Sequence, residues 1–167
     1  WPEGGVDADP LSDARAAAAL DRVVKAAEAP LLMNAATTRG GAVFNTSLLW
    51  TADPADRQWH DKVNPVPFGE YVPDRWFYEL LAPDLVGLIQ REYTPGTNSP
   101  LMEVGDVRVG LAICFDVAFD DVIHEGAHSG AQVLMFQTNN ADFRDTDENL
   151  QQLAFARMRA IETGRSV

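Results

Sequence analysis

The chain's single cysteine, Cys114, closes an apolar run, Val107-Arg108-Val109-Gly110-Leu111-Ala112-Ile113, and is followed by Phe115 and a polar Asp116. A thiol at the C-terminal end of a buried strand stands where layered α/β sheets place their reactive groups. The strand would hold the sulfur rigidly, and the turn after it can present backbone N–H groups to an oxyanion. Taken alone, the segment suits a buried structural thiol better, because free cysteine is among the most buried residue types.

Lys62 opens a second segment, Lys62-Val63-Asn64-Pro65-Val66-Pro67-Phe68-Gly69-Glu70-Tyr71-Val72-Pro73. Its prolines make it a shaped loop, and Phe68 and Tyr71 favour burial. A lysine held beside such a loop can stabilise a thiolate and a developing oxyanion, although most lysines are simply solvated. Glu70, on the same loop, is a second carboxylate; surface charge or a loop hydrogen bond explains it equally. Glu3, set after Trp1 and Pro2, would act as a general base if burial raised its pKa, and as a solvated carboxylate otherwise. Asn139 belongs to the Thr138-Asn139-Asn140-Ala141 stretch, where paired amides bind a substrate amide or cap a turn. His60, His124 and His128 show no metal-ligand spacing with the lone cysteine, so no metal site is expected. A Cys-His dyad with any of them stays open, but no local context argues for it.

The elements that must position these groups follow from periodicity and punctuation. A helix is expected over 13–29, with Ser12 as N-cap and Pro30 as its stop. Strands are expected over 31–36 and 42–50 around a turn at 37–41, with a returning strand at 58–63. Residues 64–73 and 92–99 read as Pro/Gly loops, and 75–81 as a short amphipathic helix. Strands over 101–104 and 107–114 flank a Gly105-Asp106 turn. A helix follows over 117–129, Gly126 weakening it near its end, then a buried strand over 131–138. A final helix over 149–163 carries Leu150, Leu153, Ala154, Met158 and Ile161 along one side, with Gly164 as its stop. Alternating strands and helices argue for a layered α/β fold.

The chain has 167 residues, 46% of them hydrophobic, which suits one domain with a sizeable core. A net charge of -12 excludes nucleic acid as a natural partner and makes anionic lipid headgroups repulsive. Any membrane contact is therefore expected to be apolar, or supplied by segments outside this chain. No run approaches the ~20 apolar residues of a membrane span. The chain starts without an initiator methionine or a signal peptide, and it ends without a closing element. It is expected to be a piece of a longer protein.

Taken together and in this order, the motifs resemble the carbon-nitrogen hydrolase, or nitrilase, superfamily. They are Trp1-Pro2-Glu3, Lys62 with Pro67-Phe68-Gly69-Glu70-Tyr71-Val72-Pro73, Gly110 to Cys114-Phe115-Asp116, Gly130-Ala131 with Thr138-Asn139-Asn140-Ala141, and Gln151-Gln152-Leu153-Ala154 to Arg157-Met158-Arg159-Ala160-Ile161-Glu162-Thr163-Gly164-Arg165. Within the superfamily they are most similar to the apolipoprotein N-acyltransferase branch, in its actinobacterial form. That resemblance implies a four-layer α-β-β-α sandwich, here one partial domain over 1–167, incomplete at both ends and lacking flanking membrane segments. It implies Glu3 as general base, Lys62 as stabiliser of thiolate and oxyanion, and Cys114 as nucleophile, with Glu70, Phe115, Asp116 and Asn139 in support. The implied reaction passes an acyl chain from a phospholipid through a Cys114 thioester to the N-terminal amine of a diacylglyceryl apolipoprotein, with no cofactor. The implied location is the extracytoplasmic face of a bacterial cell membrane. Asp116 stands where the branch usually has Glu, and Arg144 where it usually has Gly. A soluble nitrilase-type amidase with the same triad is the alternative activity. A noncatalytic α/β interaction domain, with Cys114 as mere core, is the alternative of another class.

Overall fold

The structure, a computed structural model, describes residues 1–89 and 91–167. The first helix, α1 (Ala14–Ala27), is capped by Asp13 rather than Ser12. The Asp13 carboxylate accepts from the N–H groups of Arg15 and Ala16 at 2.8 and 3.2 Å, satisfying donors that a helix start leaves free. Strands β1 (Leu31–Arg39) and β2 (Ala42–Trp50) form an antiparallel hairpin closed by Gly40 and Gly41. Here β1 runs past the expected 31–36, because Thr37 and Thr38 stay in the ladder opposite Phe44 and Val43. Threonine suits a pleated, buried surface when its hydroxyl is paired, and Thr37 Oγ1 lies 2.7 Å from Thr46 Oγ1. Strand β3 (Gln58–Asp61) adds to β2 and stops just before Lys62.

Side chains alternate across this sheet, and each face has its own partner. Met33, Ala35, Leu48 and Trp50 pack against Leu20 and Val24 of α1. Burying each of these two aliphatic side chains stabilises by about 1.5–3 kcal/mol. The opposite face brings Leu32 and Leu49 against Met102, Val109 and Leu111 of a second sheet. That sheet holds β4 (Leu101–Val104), β5 (Val107–Ile113) and β6 (Val133–Gln137), with β4 antiparallel and β6 parallel to β5. Its outer face is covered by α4 (Asp120–His128), through a cluster of Ala112, Ile123, Ala131 and Leu134. A Cβ on Gly126 would stand 3.5 Å from Gly110 Cα, and one on Gly110 would meet Leu134 Cδ2 at 2.6 Å. Gly110 therefore lets Leu134 and Ala131 close over β5, whereas a Cβ at Gly126 would make only ordinary contacts. Helix α5 (Glu148–Thr163) lies beside α4. The order α1, sheet, sheet, α4 with α5 is the expected four-layer α-β-β-α sandwich.

Two further expectations fail. The chain from Cys114 does not enter a helix at 117; it makes a 3₁₀ turn, Cys114–Ala118, before α4 begins at Asp120. The apolar side expected to bury α5 faces outward, with Leu150, Met158 and Ile161 at 66%, 62% and 78% exposure. The buried residue of α5 is Arg159. It donates to Val117 O at 2.9 Å and pairs with Asp120 and Glu162, each at 2.7 Å. Hydrogen bonds to the 3₁₀ turn and α4, rather than an apolar stripe, seat this helix.

Between the 64–73 loop and β4, helices α2 (Arg75–Leu81) and α3 (Pro83–Val86) build a small lobe. Trp76, Leu80, Leu81 and Leu88 are exposed on it, and so is Phe68, against the expectation that Phe68 is buried. No helix among the described residues is long and apolar enough to cross a membrane.

Candidate active site

One end of the space between the sheets is apolar and the other is polar. The strand faces that carry Leu32, Leu49 and Val133 continue at two-residue steps into Asn34, into Ser47 and Asn45, and into Gln137. Ser47 Oγ donates to Gln137 Oε1, and Gln137 Nε2 donates to Trp1 O at 2.7 Å. The polar end lies where β5 stops and Cys114 begins. Residues 1–6 are laid over it: the Trp1 amino group donates to Leu32 O at 2.7 Å, Gly4 N to Asn34 Oδ1 at 2.7 Å, and Val6 N to Asn34 O at 3.1 Å.

This strap carries Glu3 to Lys62. Lys62 follows β3, its N–H bonded to Asn45 O and its carbonyl accepting from Gly96 N, each at 2.8 Å. It is only 1% exposed, and a buried ammonium must be paired. Its Nζ lies 2.7 Å from Glu70 Oε2 and 3.4 Å from Glu3 Oε1. Glu70 Oε2 also accepts from Val66 N at 2.7 Å, so the carboxylate closes its own loop while binding the lysine. Asn45 Nδ2 bridges the two acids, at 2.7 Å from Glu3 Oε1 and 3.1 Å from Glu70 Oε1. Asn34 Nδ2 donates to Asn45 Oδ1 at 2.8 Å and fixes the orientation of that amide.

Cys114 is half-buried with a backbone φ of +51°, the left-handed region that non-glycine residues seldom occupy. Asp116, wholly buried, holds this turn. Its Oδ1 accepts from Asn64 N at 2.8 Å and Asn64 Nδ2 at 3.0 Å, and its Oδ2 accepts from Val63 N and Ile113 N, each at 3.3 Å. One carboxylate thus staples the segment after Lys62 to the strand end before Cys114. Phe115 points outward and packs edge-on against Phe119, their ring centroids 5.1 Å apart. Asn139 is exposed and accepts from Ala141 N at 3.1 Å, capping its own turn at the rim of the site.

Sγ of Cys114 lies at the junction of two cavities. One, of about 660 Å³, is lined by Glu3, Lys62, Glu70, Asn139 and Tyr93. The other, of about 590 Å³, is lined by Met135, Phe136, Thr138, Gln152 and Leu153. Burial first, then the charge of Glu3, pushes the Cys114 thiol above its ordinary pKa, and Lys62 only partly opposes this. The lysine therefore does not hold a thiolate at rest, contrary to the simplest expectation for a cation beside a thiol. For Lys62 itself, burial disfavours the ammonium, but Glu3 and Glu70 outweigh burial and raise its pKa. At neutral pH the site therefore contains a thiol beside an ammonium. His60 is wholly buried, and burial lowers its pKa despite the nearby Asp116 and Asp61 charges. His124 pairs with Glu162 at 2.8 Å. Besides Glu3 and Thr138, which hydrogen-bond with the thiol, an amide reaches the sulfur: Gln152 Nε2 at 3.7 Å.

The structure brings Glu3, Lys62, Glu70 and Cys114 onto one cavity and places Asp116 beneath it. Sequence reasoning missed Asn34 and Asn45, and it gave Gln152, part of the Gln151-Gln152-Leu153-Ala154 motif, no role in the site. For the two asparagines a signal exists: an amide inside a strand otherwise apolar must find partners or destabilise the core. Gln152 lies in a motif of the resemblance, but its type alone gives no role, since a glutamine in the first turns of a helix is ordinary.

A carbon-nitrogen hydrolase family model matches residues 7–166. The chain is 35% identical to an apolipoprotein N-acyltransferase of Mycolicibacterium smegmatis, over 100% of this chain and 29% of that protein. It is 37% identical to an apolipoprotein N-acyltransferase of Allorhizobium ampelinum, over 62% of this chain and 20% of that one. The chain thus spans less than a third of the length of these relatives. Among solved structures, a Nesterenkonia amidase of the nitrilase superfamily superposes with a TM-score of 0.68 at 19% identity, covering 98% of this chain and 58% of that chain. A carbon-nitrogen hydrolase superfamily protein of Xanthomonas campestris superposes at 0.64 and 18% identity, covering 99% and 59%. These likenesses bear out the expected nitrilase-like sandwich and the resemblance to apolipoprotein N-acyltransferases.

Proposed function

The chain belongs to the carbon-nitrogen hydrolase family, and from that membership we propose that it is part of the catalytic domain of an apolipoprotein N-acyltransferase. It moves a fatty acyl chain from phospholipid through a Cys114 thioester to the N-terminal amine of a diacylglyceryl apolipoprotein. The observation that carries this reading is the buried Lys62 ammonium, held by Glu3 and Glu70 on the cavity that reaches Sγ.

The steps follow from the charges at rest. Glu3 takes the proton from Sγ as sulfur attacks the ester carbonyl carbon, and Lys62 stabilises the tetrahedral oxyanion. The C–O bond breaks, and the lysophospholipid oxygen takes the proton from Glu3. In the second half the acceptor amine attacks the thioester carbon and gives a proton to Glu3. The C–S bond then breaks, and the sulfur is reprotonated. Splitting one transfer into two easier displacements is the purpose of a covalent nucleophile. Glu70 and Asn45 keep Lys62 and Glu3 in register, Asp116 fixes the turn, and Phe115 and Asn139 border the site.

Water as acceptor would make the same thioester an amidase intermediate. The lobe of α2 and α3, joined to the Glu70 loop by the Phe68–Tyr78 ring contact at 5.0 Å, favours lipid. Exposed Trp76, Leu80, Leu81 and Leu88 suit an apolar phase, and a chain of net charge -12 gains nothing from anionic headgroups. The whole protein would then work at the extracytoplasmic face of a bacterial cell membrane, held by segments outside this chain. The test is product analysis of the full-length protein given phospholipid and a diacylglyceryl lipopeptide. Lysophospholipid and N-acylated lipopeptide in equal amounts support acyl transfer. Free fatty acid with unmodified lipopeptide would show a hydrolase instead.

A further inference from the structure

Gln152 reaches the reacting atom from the helical layer. Its Nε2 lies 3.7 Å from Cys114 Sγ, and its Oε1 lies 2.9 Å from Thr138 Oγ1, whose single hydrogen also has Asn140 Oδ1 at 2.7 Å. With the amide oxygen turned to Thr138, the N–H hydrogens face the sulfur. The helix that carries Gln152 is locked to the nucleophile's own turn. Arg159, seven residues on and on the same face, donates to Val117 O at 2.9 Å and pairs with Asp120 at 2.7 Å. Amide and sulfur therefore sit on two pieces of backbone tied directly together.

We propose that Gln152 is a further catalytic residue, a neutral hydrogen-bond donor to Sγ that stabilises the sulfur whenever negative charge forms on it. Two features give such a donor weight. Lys62, the cation of the site, is already shared between two carboxylates at 2.7 and 3.4 Å, so much of its charge is spent before the sulfur ionises. Burial and Glu3 both disfavour the thiolate, so charge on sulfur needs a donor that carries no counter-charge of its own. The amide keeps all its hydrogens throughout: the thiol proton passes to Glu3, and Gln152 strengthens its bond to sulfur as the proton leaves. It acts again when sulfur is expelled from the thioester. The role in transfer rests on the thioester reading above; the contact with the thiol does not.

Alkylation of Cys114 by iodoacetamide, followed by mass spectrometry across pH in the full-length protein, separates the two. Gln152→Met keeps the length and removes the donor. It should raise the alkylation midpoint by about one pH unit, roughly tenfold slower labelling near neutrality, with the melting temperature kept. Gln152→Glu should raise it further. Unmoved midpoints in folded Gln152→Met, or in Gln152→Glu if the first variant does not fold, would overturn the proposal. If they are unmoved while an acyl-thioester still forms, the acyltransferase reading survives without Gln152. If they shift while no acyl-thioester forms, the donor stands and the transfer reading falls.

Discussion

Glu3 and Lys62 act on the sulfur of Cys114 with opposite signs, and single substitutions expose each. Glu3 raises the thiol pKa by its charge, yet it is the base that the proposed mechanism requires. Glu3→Gln should therefore lower the alkylation midpoint and speed iodoacetamide labelling at neutral pH, while slowing acyl transfer by roughly 10²–10⁴-fold. Slower labelling or unchanged transfer would remove Glu3 from the proton path. Lys62 has a raised folded-state pKa, so its contribution to stability is fully present below the unfolded value near 10.5 and is lost as pH rises through the higher folded one. Thermal melts should show no loss from this group between neutrality and about pH 10, and a fall above it. Asp116 accepts from four N–H donors and has no cation among those partners. Asp116→Ala strands those donors and should cost about 3 kcal/mol in denaturant melts, with loss of transfer. Its short side chain spans from the Lys62 segment to the Cys114 turn.

At the scale of the elements, the site depends on close backbone approach. A Cβ on Gly96 would stand 2.2 Å from the Asp61 carbonyl oxygen, beside the Gly96 N–H bond to Lys62 O at 2.8 Å. Gly96→Ala must displace β3 or the 92–99 loop, so it should lower the melting temperature and cut transfer together; an unchanged melt would show the loop to be free to move. Arg144 has φ +48° and ψ -126°, a conformation that costs a side-chain-bearing residue of order 1 kcal/mol or more. The strands and helices around these points were legible because period and punctuation agree in them. The Gly105-Asp106 turn falls where expected, between Val104 and Val107. Three things were not legible. Thr37 and Thr38 read as turn residues, yet they extend β1 because a buried hydroxyl partner, Thr46, lies on the neighbouring strand. The 3₁₀ turn at Cys114 is held by a carboxylate bonded to residues about fifty positions away. The burial of α5 is set by Arg159 rather than by the apolar residues, whose exposure periodicity cannot foresee.

On the scale of the whole molecule, the resemblance of motifs pointed to Glu3, Lys62 and Cys114 before any geometry, and local context alone did not. A thiol, a lysine and a glutamate 52 or more positions from one another cannot be joined by spacing. The fold joins them by stacking two sheets whose inner faces turn polar at one end. Amides at 34 and 45 inside apolar strands signal that partners exist, but that Asn34 and Asn45 bond to each other and support the acids is seen in the fold. The exposed lobe gives a test at this scale. Arg75 is paired with Glu79 and Glu92 at 2.7 and 2.6 Å, so the lobe offers no free cation there. Trp76→Ser with Leu80→Ser should slow turnover of vesicle-borne phospholipid several-fold and leave that of a short, dispersed ester unchanged, at any salt concentration. Equal losses on both substrates would place the lobe's effect in the catalytic centre.

The covalent intermediate itself is the most direct thing to measure. The full-length protein, incubated with phospholipid and no acceptor, should gain the mass of one acyl chain on the Cys114 peptide. The adduct should be released by hydroxylamine, absent from Cys114→Ala and formed far more slowly in Lys62→Met. An acyl adduct that persists in Cys114→Ala, or wild-type rates in Lys62→Met, would contradict a single site built from that sulfur and that ammonium.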